Sequence, residues 1–428
     1  MRRLLTSLSS RLLLALAAAA TVATTGPAFA AGYDTPMLYS ARHMGMGGTA
    51  ISYVNDPSAL FHNPAGLAGI KGGAAMLNLS PLLGQLHGSP AKEAINIDSN
   101  RALIPMFLAG GAYTILDRLT FGVAAFPVGG GSGGYTYSYT ASNGNKIDVE
   151  NSTSLSFIEI TPGVGVRIFD WLRVGAGFRA NIVNFKRQVI NTENGKETPY
   201  IDMDMKGMDL TGFRVGAQAN FGDLDVGLAY RNKITPEVTA DKATVTGVPA
   251  EDGSFGFILP SKIGLGLQYR GLDSWRFALD IDYAFNSQNT ETEVKGTAFG
   301  APVAVKNIAR WDDNFTIRVG AARQLMVGLE ARLGYVFDSQ AANVKYPSAF
   351  GTPPGFTQVF TGGIGWDISD SLSLGAAVAY RNGKGSVTDA DIPKTTSGSP
   401  ECAFCGLKGD YEITIFGGYL DLVYRFGG

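Results

Sequence analysis

Residues 155–168 read Leu155-Ser156-Phe157-Ile158-Glu159-Ile160-Thr161-Pro162-Gly163-Val164-Gly165-Val166-Arg167-Ile168. Ile158, Ile160, Val164, Val166 and Ile168 fall on one face, with Glu159, Thr161, Gly163, Gly165 and Arg167 on the other. Only a period of two separates these sets; helical spacing would mix them. The pattern recurs. In 172–182, Leu172, Val174, Phe178 and Ile182 oppose Arg173, Gly175, Arg179 and Asn181. In 210–221, Phe213, Val215, Ala217 and Phe221 oppose Arg214, Gly216, Gln218 and Asn220. In 274–286, Trp275, Phe277, Leu279, Ile281, Tyr283 and Phe285 oppose Arg276, Asp280, Asp282 and Asn286. A strand with lipid on one side and a polar lumen on the other must alternate in this way.

A soluble sandwich alternates too, so the connections decide. The pattern predicts strands near 73–80, 102–115, 119–127, 154–168, 172–186, 208–221 and 224–233. Seven more follow near 257–270, 274–286, 312–323, 327–338, 358–366, 371–381 and 411–426. Links after even-numbered strands are short, such as Phe221-Gly222-Asp223 and Gly271-Leu272-Asp273. Links after odd-numbered strands are long and polar, among them 128–152, 187–207, 234–256, 287–311, 339–357 and 382–410. Short turns on one side, long loops on the other and an even strand count are the marks of an outer-membrane barrel. The expected fold is all-β, a 14-stranded antiparallel transmembrane β-barrel. In the last strand the polar face changes parity, from Glu412 and Thr414 to Asp421 and Arg425, which predicts a β-bulge at Gly417-Gly418.

Composition agrees. Of 428 residues, 17% are charged and 56 are glycine, against usual values of about 25% and about 7%. The mean hydropathy of +0.07 is too low for a bundle of apolar helices. Glycine recurs on the inward face at positions 163, 165, 175, 212, 216, 264, 266, 320 and 328. There it leaves room for wall curvature or for something inside the barrel.

Residues 1–30 read as a signal peptide. Arg2, Arg3 and Arg11 precede an apolar run, Leu12 to Ala20, and Ala28-Phe29-Ala30 supplies the cleavage site. Beyond it the chain is net acidic, with 37 acidic residues against the remaining basic ones, which argues against nucleic-acid binding. Residues 31–71 do not alternate. They are turn-laden, with His43-Met44-Gly45-Met46-Gly47-Gly48, Asn55-Asp56-Pro57-Ser58 and Asn63-Pro64-Ala65-Gly66-Leu67-Ala68. Short helical turns are expected at Thr49 to Val54 and around Leu60-Phe61, in an insert for which the lumen is the natural place. The barrel domain is then 72–428.

The motif Gly45-Met46-Gly47-Gly48-Thr49-Ala50 followed by Asp56-Pro57-Ser58-Ala59-Leu60-Phe61-His62-Asn63-Pro64-Ala65-Gly66-Leu67-Ala68 resembles the N-terminal signature of the FadL/TodX family. Ile104-Pro105, Phe126-Pro127-Val128-Gly129 and Trp311-Asp312-Asp313 extend the likeness over the mature chain. The resemblance implies an outer-membrane transporter of long-chain fatty acids or other hydrophobic compounds, in a Gram-negative bacterium, with residues 31–71 as a hatch plugging the barrel. Asn63, Pro64 and Ala65 would help hold that hatch. It further implies passive transport without a cofactor and a lateral exit into outer-membrane lipid at a kink in the third strand. Pro127 and Gly129, Gly130 and Gly131 could supply the kink, or could simply begin a flexible loop. Arg167, Arg179, Arg214, Lys262 and Arg318 are inward candidates to meet a carboxylate. Tyr424 and Phe426 have the spacing read by barrel assembly machinery, although Gly427 and Gly428 follow them.

Other signals are weaker. Gly130-Gly131-Ser132-Gly133-Gly134 fits a hydrolase nucleophile pattern, but His43, His62 and His87 all precede it and no strand-to-helix elbow is expected. The three histidines offer no spaced metal site. Cys402 and Cys405, alone in the chain, are better read as a small disulfide than as a zinc site, with Pro400, Ala403, Phe404 and Leu407 as an apolar lid. The alternatives to a fatty-acid transporter are an aromatic-hydrocarbon transporter of the same fold, a general polar porin and an outer-membrane hydrolase.

Overall fold

Gly73–Gly88 (β1), Ala102–Ile115 (β2), Leu119–Thr140 (β3), Lys146–Phe169 (β4), Leu172–Glu193 (β5), Lys196–Phe221 (β6) and Leu224–Arg231 (β7) form the first half of a barrel wall. Lys262–Leu272 (β8), Trp275–Ala284 (β9), Asn314–Met326 (β10), Leu329–Asp338 (β11), Thr357–Asp367 (β12), Leu372–Val387 (β13) and Gly409–Phe426 (β14) form the second. The computed structural model describes residues 36–428, apart from 246, 397–400 and 403–404. The signal-peptide reading and the lid residues Pro400, Ala403 and Phe404 lie outside the described residues. Each strand is antiparallel to the next, and β1 meets β14 from Gly73↔Phe426 to His87↔Glu412. The β1–β14 pairing closes the fourteen-stranded barrel.

Outward side chains build the membrane belt. Leu77, Leu79, Phe213, Val215, Phe277, Ile281, Leu420 and Leu422 are all exposed. Aromatics gather at the short-turn end, where Phe169 stacks on Trp171 at 5.7 Å and Tyr424 on Phe426 at 6.0 Å. The turn between β6 and β7 needs Gly222, whose φ of 73° suits a residue without a Cβ.

Four expected loops carry strand instead, and two of them simply continue barrel strands. β5 runs to Glu193 and β6 starts at Lys196, joined by Asn194 and Gly195 at φ 50° and 77°, the Asn-Gly hairpin turn. Residues 187–207 are therefore a hairpin, and most of 128–152 belongs to β3 and β4. Above the lipid, the outward residues meet water while the inward ones become apolar. The alternation thus inverts and ceases to read as a barrel strand. The same inversion removes the expected bulge in β14. Its register is unbroken, with Leu79↔Leu420 and Leu82↔Gly417 in one frame. Tyr411, Ile413, Ile415, Tyr419 and Asp421 are all buried on the lumen face, while Glu412 points outward to Lys384 at 2.6 Å. Gly328 sits in the β10–β11 turn at φ 78°, not on the lumen face.

Two hairpins raise the wall on the long-loop side. Glu237–Val245 pairs with Val248–Gly256, and Glu291–Ala298 with Ala301–Ile308. The first hairpin joins upper β6 through Gly207↔Val238, and the second joins the first through Phe255↔Val294.

The lumen holds residues 36–71, with helices Ala41–Met44 (α1) and Ala59–His62 (α2) and a 3₁₀ helix Pro64–Gly69. Asp56 Oδ1 accepts from the Ser58 amide at 2.9 Å and starts α2. Asn63 caps the 3₁₀ helix by accepting from the Ala65 amide at 3.1 Å, with Pro64 at its first position, where a missing N–H costs nothing.

Candidate functional site

The inward glycines mark where the N-terminal segment meets the wall. A Cβ at Gly163 would strike Leu60, at Gly165 Leu67 and Ala68, at Gly175 Pro64 and Ala65, and at Gly216 Asn63. Further round the wall, Gly227 and Gly264 face Ile51, Gly320 faces Met46, and Gly334 faces Gly47. The wall is thus relieved of side chains along the contact, so backbone packs on backbone. Polar ties fix the register. Asn63, fully buried, donates through Nδ2 to the carbonyls of Ile51 at 2.7 Å and Ala217 at 3.0 Å. Asp280 accepts the amides of Ala50 and Ile51 at 2.8 and 3.1 Å. Asp421 accepts the Ser40 hydroxyl at 2.7 Å and the Arg42 amide at 3.1 Å.

The five cations expected to meet a carboxylate lie at this level, each with a partner in the wall or hatch. Glu159, fully buried, receives Arg179 at 2.7 Å on one oxygen and Arg214 on the other. Arg214 also donates to the Phe61 carbonyl. Asp282 binds Arg318, with Lys262 Nζ at 4.0 Å. Arg167 donates to the Ala68 carbonyl at 3.3 Å. Buried charges are stable only when paired, so these residues tie hatch to wall.

Above that level the lumen is apolar. In β4, Phe157 and Leu155 continue the inward face of Glu159; in β5, Val183 and Phe185 continue that of Arg179. Phe255 and Phe257, brought in by the first outer hairpin, complete an aromatic cluster. Ring centroids are 4.6 Å apart for Phe255–Phe257 and 5.3 Å for Phe185 with either. These rings line a cavity of about 190 Å³, together with Gly130, Gly131, Met203, Val294 and Phe350. Arg187 stands at its edge, 4.9 Å from the Phe350 ring, and gives its hydrogen bonds to Asn151 Oδ1 at 2.6 Å and the Ser152 carbonyl at 2.8 Å. Sequence reasoning missed Arg187 by ending the strand at 186; carrying the inward parity of Arg179 eight residues further finds it.

The wall beside this cavity is unpaired. The β2–β3 ladder ends at Ala109↔Ala125. Above it, β2 is bonded to β1 and β3 to β4. Contact resumes only where the Asn100 amide donates to the Gly134 carbonyl at 2.7 Å. Between these points β3 carries an extra residue, Val128, where the register with β4 shifts between Pro127 and Gly129, and Gly130 adopts φ 143°. Pro127 has no amide to offer a neighbour. The window faces Met106, Phe107, Leu108, Phe126 and Val128, all buried. Tyr39, at the start of the hatch, donates to the Pro127 carbonyl. Pro127 and Gly129 to Gly131 are therefore irregular strand, not a loop.

Cys402 and Cys405 are joined as a disulfide. Cys402 packs with Ile308 and Tyr346 beside the cavity, which Cys405 lines.

The sequence matches a family of known proteins, described as outer membrane protein transport protein (OMPP1/FadL/TodX), over residues 20–412. The chain belongs to this family. It is accordingly an outer membrane transport protein of the FadL/TodX type, a family of transport channels and not of enzymes. Among solved structures it is similar to a FadL homologue of Pseudomonas aeruginosa, with a TM-score of 0.71 at 14% identity, covering 92% of this chain and 100% of the other. The Pseudomonas putida toluene transporter TodX gives 0.68 at 17%, with the same coverages. The Ralstonia pickettii toluene transporter TbuX gives 0.65 at 16%, again covering 92% and 100%. These likenesses carry the fold. No curated protein matches the sequence.

Proposed function

We propose that the protein takes up long-chain fatty acids or similar hydrophobic molecules, held in the apolar cavity and released sideways into the outer membrane. The observation that carries this reading is the meeting of cavity and window at Gly130-Gly131. Each CH₂ moved from water into an apolar site gains about 0.8 kcal/mol. A tail leaving through the β2–β3 window passes from apolar cavity to lipid without crossing water. The hatch blocks the straight aqueous route, which disfavours a general porin. Arg187 at the cavity edge suits a carboxylate headgroup, since its hydrogen bonds among the described residues go to uncharged oxygens.

An aromatic hydrocarbon is the second reading, favoured by the Phe185, Phe255 and Phe257 cluster and by the toluene transporters of similar fold. Cell uptake of radiolabelled oleate and toluene separates the two. Oleate uptake that falls about tenfold in Arg187→Gln supports the first; toluene uptake indifferent to that change, without oleate uptake, supports the second. Outer-membrane lipid and the barrel assembly machinery, through Tyr424 and Phe426, are the partners this reading requires. Asn63, Pro64 and Ala65 are its hatch anchors, and the Cys402–Cys405 disulfide steadies the loop beside the cavity.

A further inference from the structure

A second apolar cavity, of about 180 Å³, adjoins the cargo cavity. The β5–β6 ladder orders the two. Phe185 and Met203 line the cargo cavity, whereas Ile201, paired with Val189 nearer the Asn194-Gly195 turn, lines the second. Tyr200, which is exposed, borders it too, so the second cavity lies further from the hatch and towards the outer surface. Arg187, Phe350 and Cys405 line both cavities, so these three side chains form the partition between them. Two of the three are tied. Arg187 gives hydrogen bonds to Asn151 Oδ1 and to the carbonyls of Ser152 and Gln188, and Cys405 is bonded to Cys402. Phe350 contributes a ring, which makes no hydrogen bond. Its backbone is pinned, since the Tyr135 hydroxyl donates to the Ala349 carbonyl at 2.6 Å and the Phe350 amide to Ser348 Oγ at 3.2 Å. The ring is held by the Arg187 guanidinium, 4.9 Å from its centroid, and by the Tyr135 ring, edge to face at 5.3 Å. It can therefore turn about its own side-chain bonds without breaking a hydrogen bond.

We propose that the Phe350 ring is a door between the two cavities, latched by Arg187 and released by a carboxylate on the cargo. This door presupposes cargo in the apolar cavity, as proposed above. A molecule arriving from outside meets the second cavity first, and the ring stands between it and the Phe185, Phe255 and Phe257 cluster. The guanidinium attracts the ring face through its charge. A carboxylate that pairs with Arg187 neutralises that charge, and the planar fork of a guanidinium suits such a partner. The ring thus loses its latch as an acid arrives, whereas a neutral hydrocarbon leaves the latch in force. Phe350 is then a selectivity residue that acts on entry rather than on the strength of holding.

The test is stopped-flow binding of cis-parinaric acid and of its methyl ester to the full detergent-solubilised protein. In the wild type the acid is expected to associate about tenfold faster than the ester. Phe350→Ala should raise the association rate of the ester to about that of the acid. Phe350→Trp, with a larger ring that holds a cation better, should slow the ester further. Removing a side chain that merely lines a site acts mostly on dissociation, so a raised association rate is the mark of a door. Heat-resistant migration on gels shows that the barrel of each variant is folded. Equal association of acid and ester in the wild type would overturn the door. So would an acid preference that survives Phe350→Ala, which would mean that the cations merely steer the anion. A wild type that binds neither probe would overturn the cargo reading and the door with it.

Discussion

The Tyr39 hydroxyl donates to the carbonyl of Pro127, so the segment that plugs the barrel also holds the bulge in the wall beside it. Tyr39 is buried between Phe61 and Phe126, at centroid distances of 4.9 and 6.0 Å. Hatch and window are one packed unit. Tyr39→Phe keeps the ring and loses the bond, at a cost of about 1 kcal/mol. Amide exchange should quicken at Val128 to Gly131 and stay unchanged in β9 to β12. Equal rates in the two regions would show that the bond does not restrain the window.

The glycine ring makes a second prediction. Gly175→Val and Gly216→Val place side chains where Pro64 and Asn63 now lie. The barrel, secured by its ladder, should still assemble, but the hatch cannot seat. Single-channel recordings in planar bilayers should show conductance raised well above the wild type. Closed channels in both variants would mean that the hatch reseats elsewhere.

Glu159 accepts from two arginines at once, one on each oxygen. Glu159→Gln leaves Arg179 and Arg214 buried without a counter-charge, and removing one partner of such a set costs about 3–5 kcal/mol. A matching loss in urea unfolding from lipid vesicles is expected. Glu159→Asp should recover part of it.

On the proposed function the aromatic cluster holds the cargo. Burying one phenylalanine-sized surface is worth about 1.5–3 kcal/mol, so Phe185→Ala and Phe257→Ala should each weaken ligand binding at least about tenfold, read by isothermal titration with oleate. Phe299, exposed at the tip of the second hairpin, serves as the control, and Phe299→Ala should leave binding unchanged.

Much of this was legible in the sequence. The lower halves of β4, β5, β6 and β9 alternate cleanly because lipid lies on one side and a polar hatch contact on the other. The loss of alternation in 31–71 marked an insert, while Pro127 with its glycines left a strand kink and a loop equally open. What escaped was the upper lumen. There Phe157 and Phe185 face inward and Lys186 outward, so the same backbone parity carries the opposite polarity. This produced two false loops and a bulge at Gly417-Gly418 that does not exist. Phe255 and Phe257 could not be found at all, since their place depends on a hairpin folding back from 75 residues or more beyond Arg179. The partners of the five expected cations escaped for a simpler reason. Facing inward is a statement about parity, and being available is a statement about partners such as Glu159 and Asp282, which lie on other strands.

The proposed route for cargo is the window between β2 and β3. Deleting Val128 removes the extra residue and lets Pro127 and Gly129 follow the single register that β4 offers through Ile158 and Phe157. The straightened β3 should then continue its ladder with β2 above Ala125. The measurement is uptake of radiolabelled oleate by cells bearing the deletion, alongside oleate binding to the purified protein. Uptake should fall about tenfold or more with binding within about twofold of the wild type, since the Phe185, Phe255 and Phe257 rings lie on other segments and stay in place. Undiminished uptake through a wall shown to be closed would contradict it.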